Sequence, residues 1–210
     1  MSSEPRFERA VAFIDGQNLF HAAREAFGYT YPNYDPRKLA DTVCADCKWH
    51  LEQVRFYTGV PDANDNPFWH HFWAARLAQM GRQGVWTYSR SLRYQNQTVT
   101  LDDGRQVSFL RGHEKGIDVR IALDIVQLVL EDSCDVVLLF SQDQDLSEVA
   151  EELRVIARRE RRWIKIASAF PVSPTYRNRR GVNKTDWIGV DRATYDRCLD
   201  PRDYRPKRKA

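Results

Sequence analysis

The sequence predicts an α/β protein in which helices cover both faces of a parallel sheet. Three observations lead to this fold class. Short, continuous apolar runs are typical of buried strands, segments with helical spacing follow them, and the two alternate along the chain. The first apolar run is 10–14 and a later one is 136–139. The chain has 210 residues, which is enough for one domain of ordinary size.

The elements alternate in a regular order. We predict strands at 10–14, 52–60, 85–89, 135–140 and 163–167, and a short edge strand at 187–190. We predict helices up to Phe27, from Asp35 to Cys47, and at 68–80, 117–130, 146–159 and 192–198. Asp35-Pro36 and Asn66-Pro67 each combine an N-cap residue with proline at the first helical position.

Two of the predicted helices have unusual side chains. The helix at 68–80 carries an aromatic stripe, which at helical spacing is typical of core packing. The helix at 117–130 is almost wholly apolar, which predicts that it is buried.

One segment departs from the alternation of strands and helices. Residues 92–110 alternate on both sides of Asp102-Asp103-Gly104, which predicts a β-hairpin inserted into the α/β fold. Its role is open between a lid, a dimer contact and a guide for RNA. We expect a single domain over 8–200 and a basic C-terminal tail over 201–210.

Composition excludes several classes of protein. Hydrophobic residues make up 42% and charged residues 29%, as in globular proteins. No apolar run approaches the roughly 20 residues of a membrane span, and the polar start lacks the apolar core of a signal peptide. We therefore expect no membrane partner and a cytoplasmic location. The 4 cysteines are too scattered for a disulfide framework, and the Cys44/Cys47 pair lacks the second half of a zinc site.

Basic residues are unevenly distributed although the formal net charge is only +3. They gather at 154–165, 177–184 and 202–209. Such clusters are typical of proteins that bind a polyanion. A solvated helix face and a frayed tail are the alternative explanation. Three clusters in the last third of the chain favour nucleic acid.

Acidic residues gather at one predicted edge of the sheet. Asp15 closes the first strand, Asp143 and Asp145 follow the fourth, and Asp118 opens the helix that leads to the fourth. In a parallel sheet these positions share the edge where ligands bind. Carboxylates without a nearby Lys or Arg need a proton or a cation, and clustered Asp oxygens suit Mg²⁺ or Mn²⁺.

Asp118 stands out because its helix face is apolar. Ile121 and Ile125 follow it on that face, which is expected to be turned away from water. Asp124 belongs to the opposite polar stripe, where Arg120 is an i,i+4 partner.

The other acids have structural alternatives. Asp15 could be a turn residue. Asp145 could be a helix N-cap, with Glu148 completing a capping box. For Asp143 the alternative is an Asx-turn. Their convergence on one edge favours a functional role for all of them.

At these residues the sequence resembles the NYN domain, a member of the PIN-like nuclease superfamily. The resemblance lies in Phe-Ile-Asp-Gly-Gln-Asn at 13–18, Lys-Gly-Ile-Asp-Val at 115–119 and Ser-Gln-Asp-Gln-Asp at 141–145. It extends over roughly 8–200, including Asn-Lys-Thr-Asp-Trp at 183–187. It implies a PIN-like three-layer sandwich whose parallel strands are ordered 3-2-1-4-5.

The resemblance also implies a Mg²⁺- or Mn²⁺-dependent ribonuclease. Its catalytic and metal-binding residues would be Asp15, Asp118, Asp143 and Asp145. By the same match, Asn18 would orient Asp15 or contact the scissile phosphate, and Lys115 would neutralise the acids or a phosphate. The predicted substrate-binding residues are Asn18, Lys115, Ser141, Arg158, Arg179 and Lys184.

The third motif departs from the family pattern at two positions. Gln142 stands where the family usually has Gly, and Leu146 where it usually has Phe. Gln142 is expected to crowd the metal cleft or to alter a backbone approach, and either would weaken catalysis.

The leading hypothesis is a metal-dependent endoribonuclease. RNA is the expected partner, while DNA and homodimer formation stay open. An RNA-binding regulatory protein that has lost turnover is the alternative. A small-molecule phosphohydrolase is a third hypothesis, because Asp143-Gln144-Asp145 is a D-x-D, but no matching phosphate-binding residues follow in order.

Overall fold

The computed structural model describes residues 4–100, 103–113 and 115–206. Within these ranges a parallel six-stranded sheet has the order β3-β2-β1-β6-β7-β8. The strands of this sheet are β1 (Arg9–Asp15), β2 (His50–Val60), β3 (Trp86–Ser91), β6 (Val136–Phe140), β7 (Lys165–Pro171) and β8 (Asp186–Val190). The helices are α1 (Gly16–Phe27), α2 (Pro36–Asp46), α3 (Pro67–Arg82), α4 (Ile117–Leu130), α5 (Ser147–Arg159) and α6 (Arg192–Arg197).

The strand order confirms the predicted α/β fold and the predicted 3-2-1-4-5 sheet. The predicted edge strand is present as β8, which pairs in parallel with β7. Strands β1 and β6 are neighbours, and Ile14 is level with Phe140. Asp15 therefore leaves the sheet at the same edge as Asp143 and Asp145, which follow Phe140. We call this edge the acidic rim.

Hydrophobic cores lie on both faces of the sheet. Helices α1, α2 and α3 cover one face, and α4 and α5 cover the other. Half of the predicted aromatic stripe of α3 packs into the first core, because Phe72 and Trp73 are buried while Phe68 is 41% exposed. Arg76 of the same helix is also buried, and its guanidinium lies 4.9 Å from the centre of the Tyr34 ring.

The prediction that α4 is a buried helix is only half right. Ile121 and Ile125 are buried against the sheet, but Val119, Leu123 and Leu130 are 57%, 61% and 51% exposed. The reason is that α4 belongs to an outer layer, so only the face toward the sheet and α5 is covered.

Asp124 is not on a solvated stripe. It accepts hydrogen bonds from Tyr57 (2.8 Å) and Arg55 (3.3 Å) and forms the predicted ion pair with Arg120. This buried carboxylate thus fastens α4 to β2.

The predicted hairpin is confirmed as a separate antiparallel pair. Strand β4 (Arg93–Thr100) pairs with β5 (Gln106–His113). Gly104 has a positive φ of 82°, as tight turns require, whereas Asp102 lies outside the described residues. The tail is described only as far as residue 206. Among the described helices, none is both long enough and apolar enough to cross a membrane.

Candidate active site

Asp15 closes β1 and caps the first turn of α1. Its carboxylate accepts a hydrogen bond of 3.0 Å from the backbone N–H of Asn18, and the residue is only 7% exposed. The following residue, Gly16, leaves no room for a side chain, because a Cβ there would lie 2.5 Å from the Phe56 ring. The tight strand-to-helix turn that presents Asp15 thus requires glycine.

Asp15 lies in a negative electrostatic environment. Burial, followed by the negative charges of Asp143 and Asp118, raises the pKa of Asp15 to about 6, although backbone N–H groups oppose the shift. Across the described residues, no ion pair includes any of these acids. A buried carboxylate in such a field either keeps its proton near neutral pH or binds a cation.

The loop after β6 is tied directly to the turn after β1. The side-chain oxygen of Asn18 accepts a hydrogen bond of 2.9 Å from the backbone N–H of Gln142. Ser141 Oγ accepts from the N–H of Asp143 (3.1 Å), and Asp143 in turn accepts from the N–H of Asp145 (3.0 Å). Asn18 and Ser141 therefore hold the loop at 141–145, which we call the acid loop, in its conformation. This is a structural role.

The capping box of Asp145 with Glu148 does not form. Asp143 caps a short 3₁₀ turn at 144–146, and α5 begins at Ser147 without a side-chain cap. The extra turn shifts the start of the helix by one residue and leaves Asp145 exposed. Asp145 is the outermost of the predicted acids, and its charge is not among those that shift Asp15.

Asp118 comes from the first turn of α4 and is partly buried. Its helix is preceded by Gly116, which has a positive φ of 77°, and the carbonyl of Lys115 accepts a bond of 3.3 Å from Arg90. The Lys115 side chain is exposed beside this turn. The structure therefore brings Asp118 to the acidic rim, as predicted.

Gln142 is directed toward the segment after β7. Its side-chain amide donates to the carbonyl of Arg180 (2.8 Å) and accepts from the hydroxyl of Tyr176 (3.0 Å). Gln144 adds bonds of 3.1 Å to the backbone of Gly181 and of Asn183. The Gln142 side chain is therefore engaged by Tyr176 and Arg180, and its expected crowding of the metal cleft stays a prediction.

These glutamine contacts were not anticipated from the sequence. They fasten a basic segment, residues 177–180, beside the acid loop. Arg177, Arg179 and Arg180 of this segment are exposed. Residues 142 and 180 are far apart in sequence, so no local pattern indicates their contact.

Of the three basic residues predicted in the last third of the chain, one lies in the basic segment beside the acid loop and two lie away from it. Arg179 lies in the basic segment and donates to the carbonyl of Pro174. Lys184 lies beyond that segment and pairs with Glu151 on α5. Arg158 is in the last turn of α5, 11 residues from its start, which is about 16 Å along the helix axis. The structure does not bring Arg158 to the acidic rim.

The acids do not form a closed metal cage. In the parts of the chain that the structure describes, no group of three or more His, Cys, Asp or Glu is placed to hold a metal ion. Mg²⁺ is commonly held by one or two carboxylates, with water and substrate phosphates completing its ligands. Asp15 and Asp143 fit that open arrangement in donor chemistry and in their uncompensated charge.

The fold and the acidic rim define a PIN-like domain of the nuclease superfamily. The chain belongs to the NYN domain family, whose model matches residues 9–161. This membership associates it with nuclease-like, RNA-related function.

One solved structure supports the fold. The chain is similar to a protein of unknown function from Vibrio parahaemolyticus, with 19% identity and a TM-score of 0.51 over 91% of this chain and 98% of that one. A deacetylase of teicoplanin biosynthesis, in complex with teicoplanin, matches with 15% identity and a TM-score of 0.31 over 75% and 68% of the two chains. That score is too low to support any conclusion. No curated protein matches the chain.

Proposed function

We propose that this protein is a Mg²⁺- or Mn²⁺-dependent endoribonuclease whose active site is the acidic rim. One observation carries the proposal. Asp15 is buried beside Asp143 and Asp118, its pKa is raised to about 6, and no ion pair within the described residues neutralises it. A divalent cation would relieve this repulsion, and the family is associated with nuclease chemistry.

The acids have different parts in the proposed reaction. Asp15 and Asp143 would hold the cation, because the negative charge of Asp143 contributes more to the raised pKa of Asp15 than that of Asp118 does. When bound, a divalent ion stabilises negative charge on the attacking and leaving oxygens of a phosphodiester. Asp118 orients the attacking water or accepts its proton. Asp145 is exposed and adds negative charge at the outer edge of the acidic rim.

Basic side chains beside the rim bind the RNA backbone. The arginines of segment 177–180 are exposed and are fastened to the acid loop through Gln142. Lys115 lies beside the turn that presents Asp118. Attack of water with a 3′-oxygen leaving group gives products with 5′-phosphate ends. Arg158 and Lys184 would contact RNA only further from the scissile bond.

The deciding test is cleavage of labelled single-stranded and structured RNA with Mn²⁺. Asp143→Asn keeps the oxygen that accepts the Asp145 N–H and removes only the charge. We expect a loss of roughly 10²-fold or more in cleavage rate. Glu148→Gln, an exposed acid on α5, is the control and should cleave as the wild type does. Equal cleavage by wild type and Asp143→Asn would refute the assignment of the site.

The exposed arginines of segment 177–180 also suit one alternative, an RNA-binding regulatory protein without turnover. Such a protein would bind RNA with an affinity that falls with salt, would need no divalent ion and would release no products. Calorimetric titration with Mn²⁺ separates the two functions. Heat of binding that disappears in Asp143→Asn supports the nuclease.

A further inference from the structure

An aromatic pocket opens on the β2 side of the acidic rim. Its volume is about 180 Å³, and its walls include the rings of Phe20, Trp69 and Trp73 and two prolines, Pro32 and Pro61. Gln17 and His21 also line it, and His21 is the one titratable side chain in this lining. Because aromatic rings and prolines make up most of the walls, the pocket suits a flat, mainly apolar group better than a phosphate.

The pocket adjoins the acid centre through the turn after β1. Gln17 lines the pocket and lies in the first turn of α1, which the carboxylate of Asp15 caps. Phe20 lies one turn further along α1, and Pro61 directly follows β2. Because β2 and β1 are parallel neighbours, Pro61 leaves the sheet at the same edge as Asp15.

The walls of the pocket are held in place. Trp69 and Trp73 lie on successive turns of α3, whose first turn is capped by Asn66. The buried guanidinium of Arg76 donates to the carbonyl of Pro32 (2.5 Å) and lies 5.4 Å from the centre of the Trp73 ring. One buried cation thus fixes two walls, so the pocket exists before a ligand binds.

Three kinds of surface follow each other along the rim. The aromatic pocket lies on the β2 side, the acids lie at the ends of β1 and β6, and the arginines of 177–180 lie beyond, after β7. A strand of nucleic acid laid across the acids would meet cations on one side for its phosphates. On the other side it would meet aromatic rings, on which bases stack.

We propose that this pocket binds an unpaired nucleobase next to the phosphodiester held at the acidic rim. The inference rests on the proposed ribonuclease function and makes single-stranded RNA, or an unpaired loop, its substrate class. A base inside a duplex is stacked on both sides and cannot enter the pocket. Stacking is tolerant of sequence because every base has a flat π face, so the pocket selects for single strands.

The test compares RNA binding by two variants of α3. Trp69→Leu removes a ring that lines the pocket. Phe68→Leu removes the neighbouring ring, which is 41% exposed and does not line the pocket. The affinity of each variant is measured by fluorescence anisotropy, for a single-stranded oligonucleotide and for a blunt RNA duplex of equal length, with EDTA present so that no cleavage occurs.

Loss of one stacked base should weaken single-strand binding by Trp69→Leu about 5- to 150-fold. Binding of the duplex should not change, and Phe68→Leu should bind both ligands as the wild type does. Phe20→Leu, on a different helix, should give the same selective loss and guards against misfolding of one variant. Unchanged single-strand affinity in both pocket variants would overturn the inference, as would equal losses for strand and duplex.

An abasic oligonucleotide identifies the base as the occupant. Removing the base that enters the pocket should weaken binding to the wild type as much as Trp69→Leu does, and should have no further effect on that variant. An abasic scan with no such position would point to another occupant and refute the proposal. These measurements need no turnover. Failure of the nuclease assay with selective losses intact would therefore disprove only the proposed catalysis.

Discussion

The two ends of β1 and β6 carry acids in opposite electrostatic situations. At the amino end, Asp135 accepts hydrogen bonds from the backbone N–H of Arg9 (3.1 Å) and from its guanidinium (2.9 Å). Asp132 nearby pairs with Arg9 and Arg162. At the carboxyl end, Asp15 faces other acids, and no described ion pair includes it.

The difference is visible in the pKa values. Burial alone would raise the pKa of Asp135, but the hydrogen bonds and charge of Arg9 outweigh burial and hold the pKa below its ordinary value. Burial raises the pKa of Asp15 to about 6, and its acidic neighbours add to the shift. The same pair of strands is thus stabilised at one end and destabilised at the other, as expected where a functional site is built on a stable scaffold.

The largest expected effect comes from Asp15→Asn. The amide keeps an oxygen for the Asn18 N–H, but the charge that would hold the cation is lost. We expect RNA cleavage to fall roughly 10²-fold or more, measured as initial rates with Mn²⁺. Cleavage within twofold of wild type would remove Asp15 from the site.

The stability of Asp15→Asn should change in the opposite direction. The folded pKa of about 6 lies above the ordinary 3.8, so the folded state keeps its proton to higher pH than the unfolded state. The destabilising contribution is therefore absent below about pH 4, grows up to about pH 6 and persists above it. Urea unfolding should show a gain of about 1–3 kcal/mol at pH 7 and almost none at pH 4. A less stable variant at pH 7 would contradict this electrostatic account.

Asp135→Asn is the matched change at the other end. The lowered folded pKa means that the carboxylate stabilises the protein above its unfolded pKa and loses this effect as pH falls through the folded pKa. We expect a loss of about 1–3 kcal/mol at pH 7, a smaller loss in acid, and unchanged cleavage per folded molecule. Loss of cleavage with full folding would show that the two ends are not functionally distinct.

Mn²⁺ should distinguish the two ends in thermal unfolding. Saturating Mn²⁺ should stabilise the wild type and Asp135→Asn by about 1–3 kcal/mol, because the ion binds the folded state. Asp15→Asn should show little or no response. A rise in midpoint that is equal in all three proteins would place the ion elsewhere.

The smallest expected effect is that of Gln142→Gly, which restores the residue usual in the family. It removes the bonds to Tyr176 and Arg180 that hold the basic segment beside the acids. We expect RNA affinity to fall a fewfold and trypsin to cut within 177–180 faster, measured by filter binding and limited proteolysis. Unchanged proteolysis would show that Gln142 does not fasten this segment.

Local patterns predicted much of the fold. Apolar runs located the strands, and Asp35-Pro36 and Asn66-Pro67 correctly marked the starts of α2 and α3. The convergence of Asp15, Asp118 and Asp143 followed from the rule that parallel strands share a carboxyl edge.

Most of the differences between the predicted and the observed structure concern contacts between distant segments. The sequence does not show that α4 lies in an outer layer, so its exposed Leu123 was not foreseen. It does not show that Gln142 reaches Arg180, or that a 3₁₀ turn takes the capping role from Asp145. The first two depend on how layers pack, which periodicity within one element cannot indicate. The 3₁₀ turn is a local alternative to the capping box, in which Asp143 accepts from the N–H of Asp145.

The match to the family ends at residue 161, but the folded unit continues beyond it. Strand β7 pairs with β6 through Val136 to Leu139, and β8 pairs with β7. A fragment cut after α5 would turn β6 into a bare edge with unpaired N–H and C=O groups, and such edges promote aggregation. The end of the family match and the end of the folded unit are therefore different, and a recombinant fragment needs β7 and β8 as well.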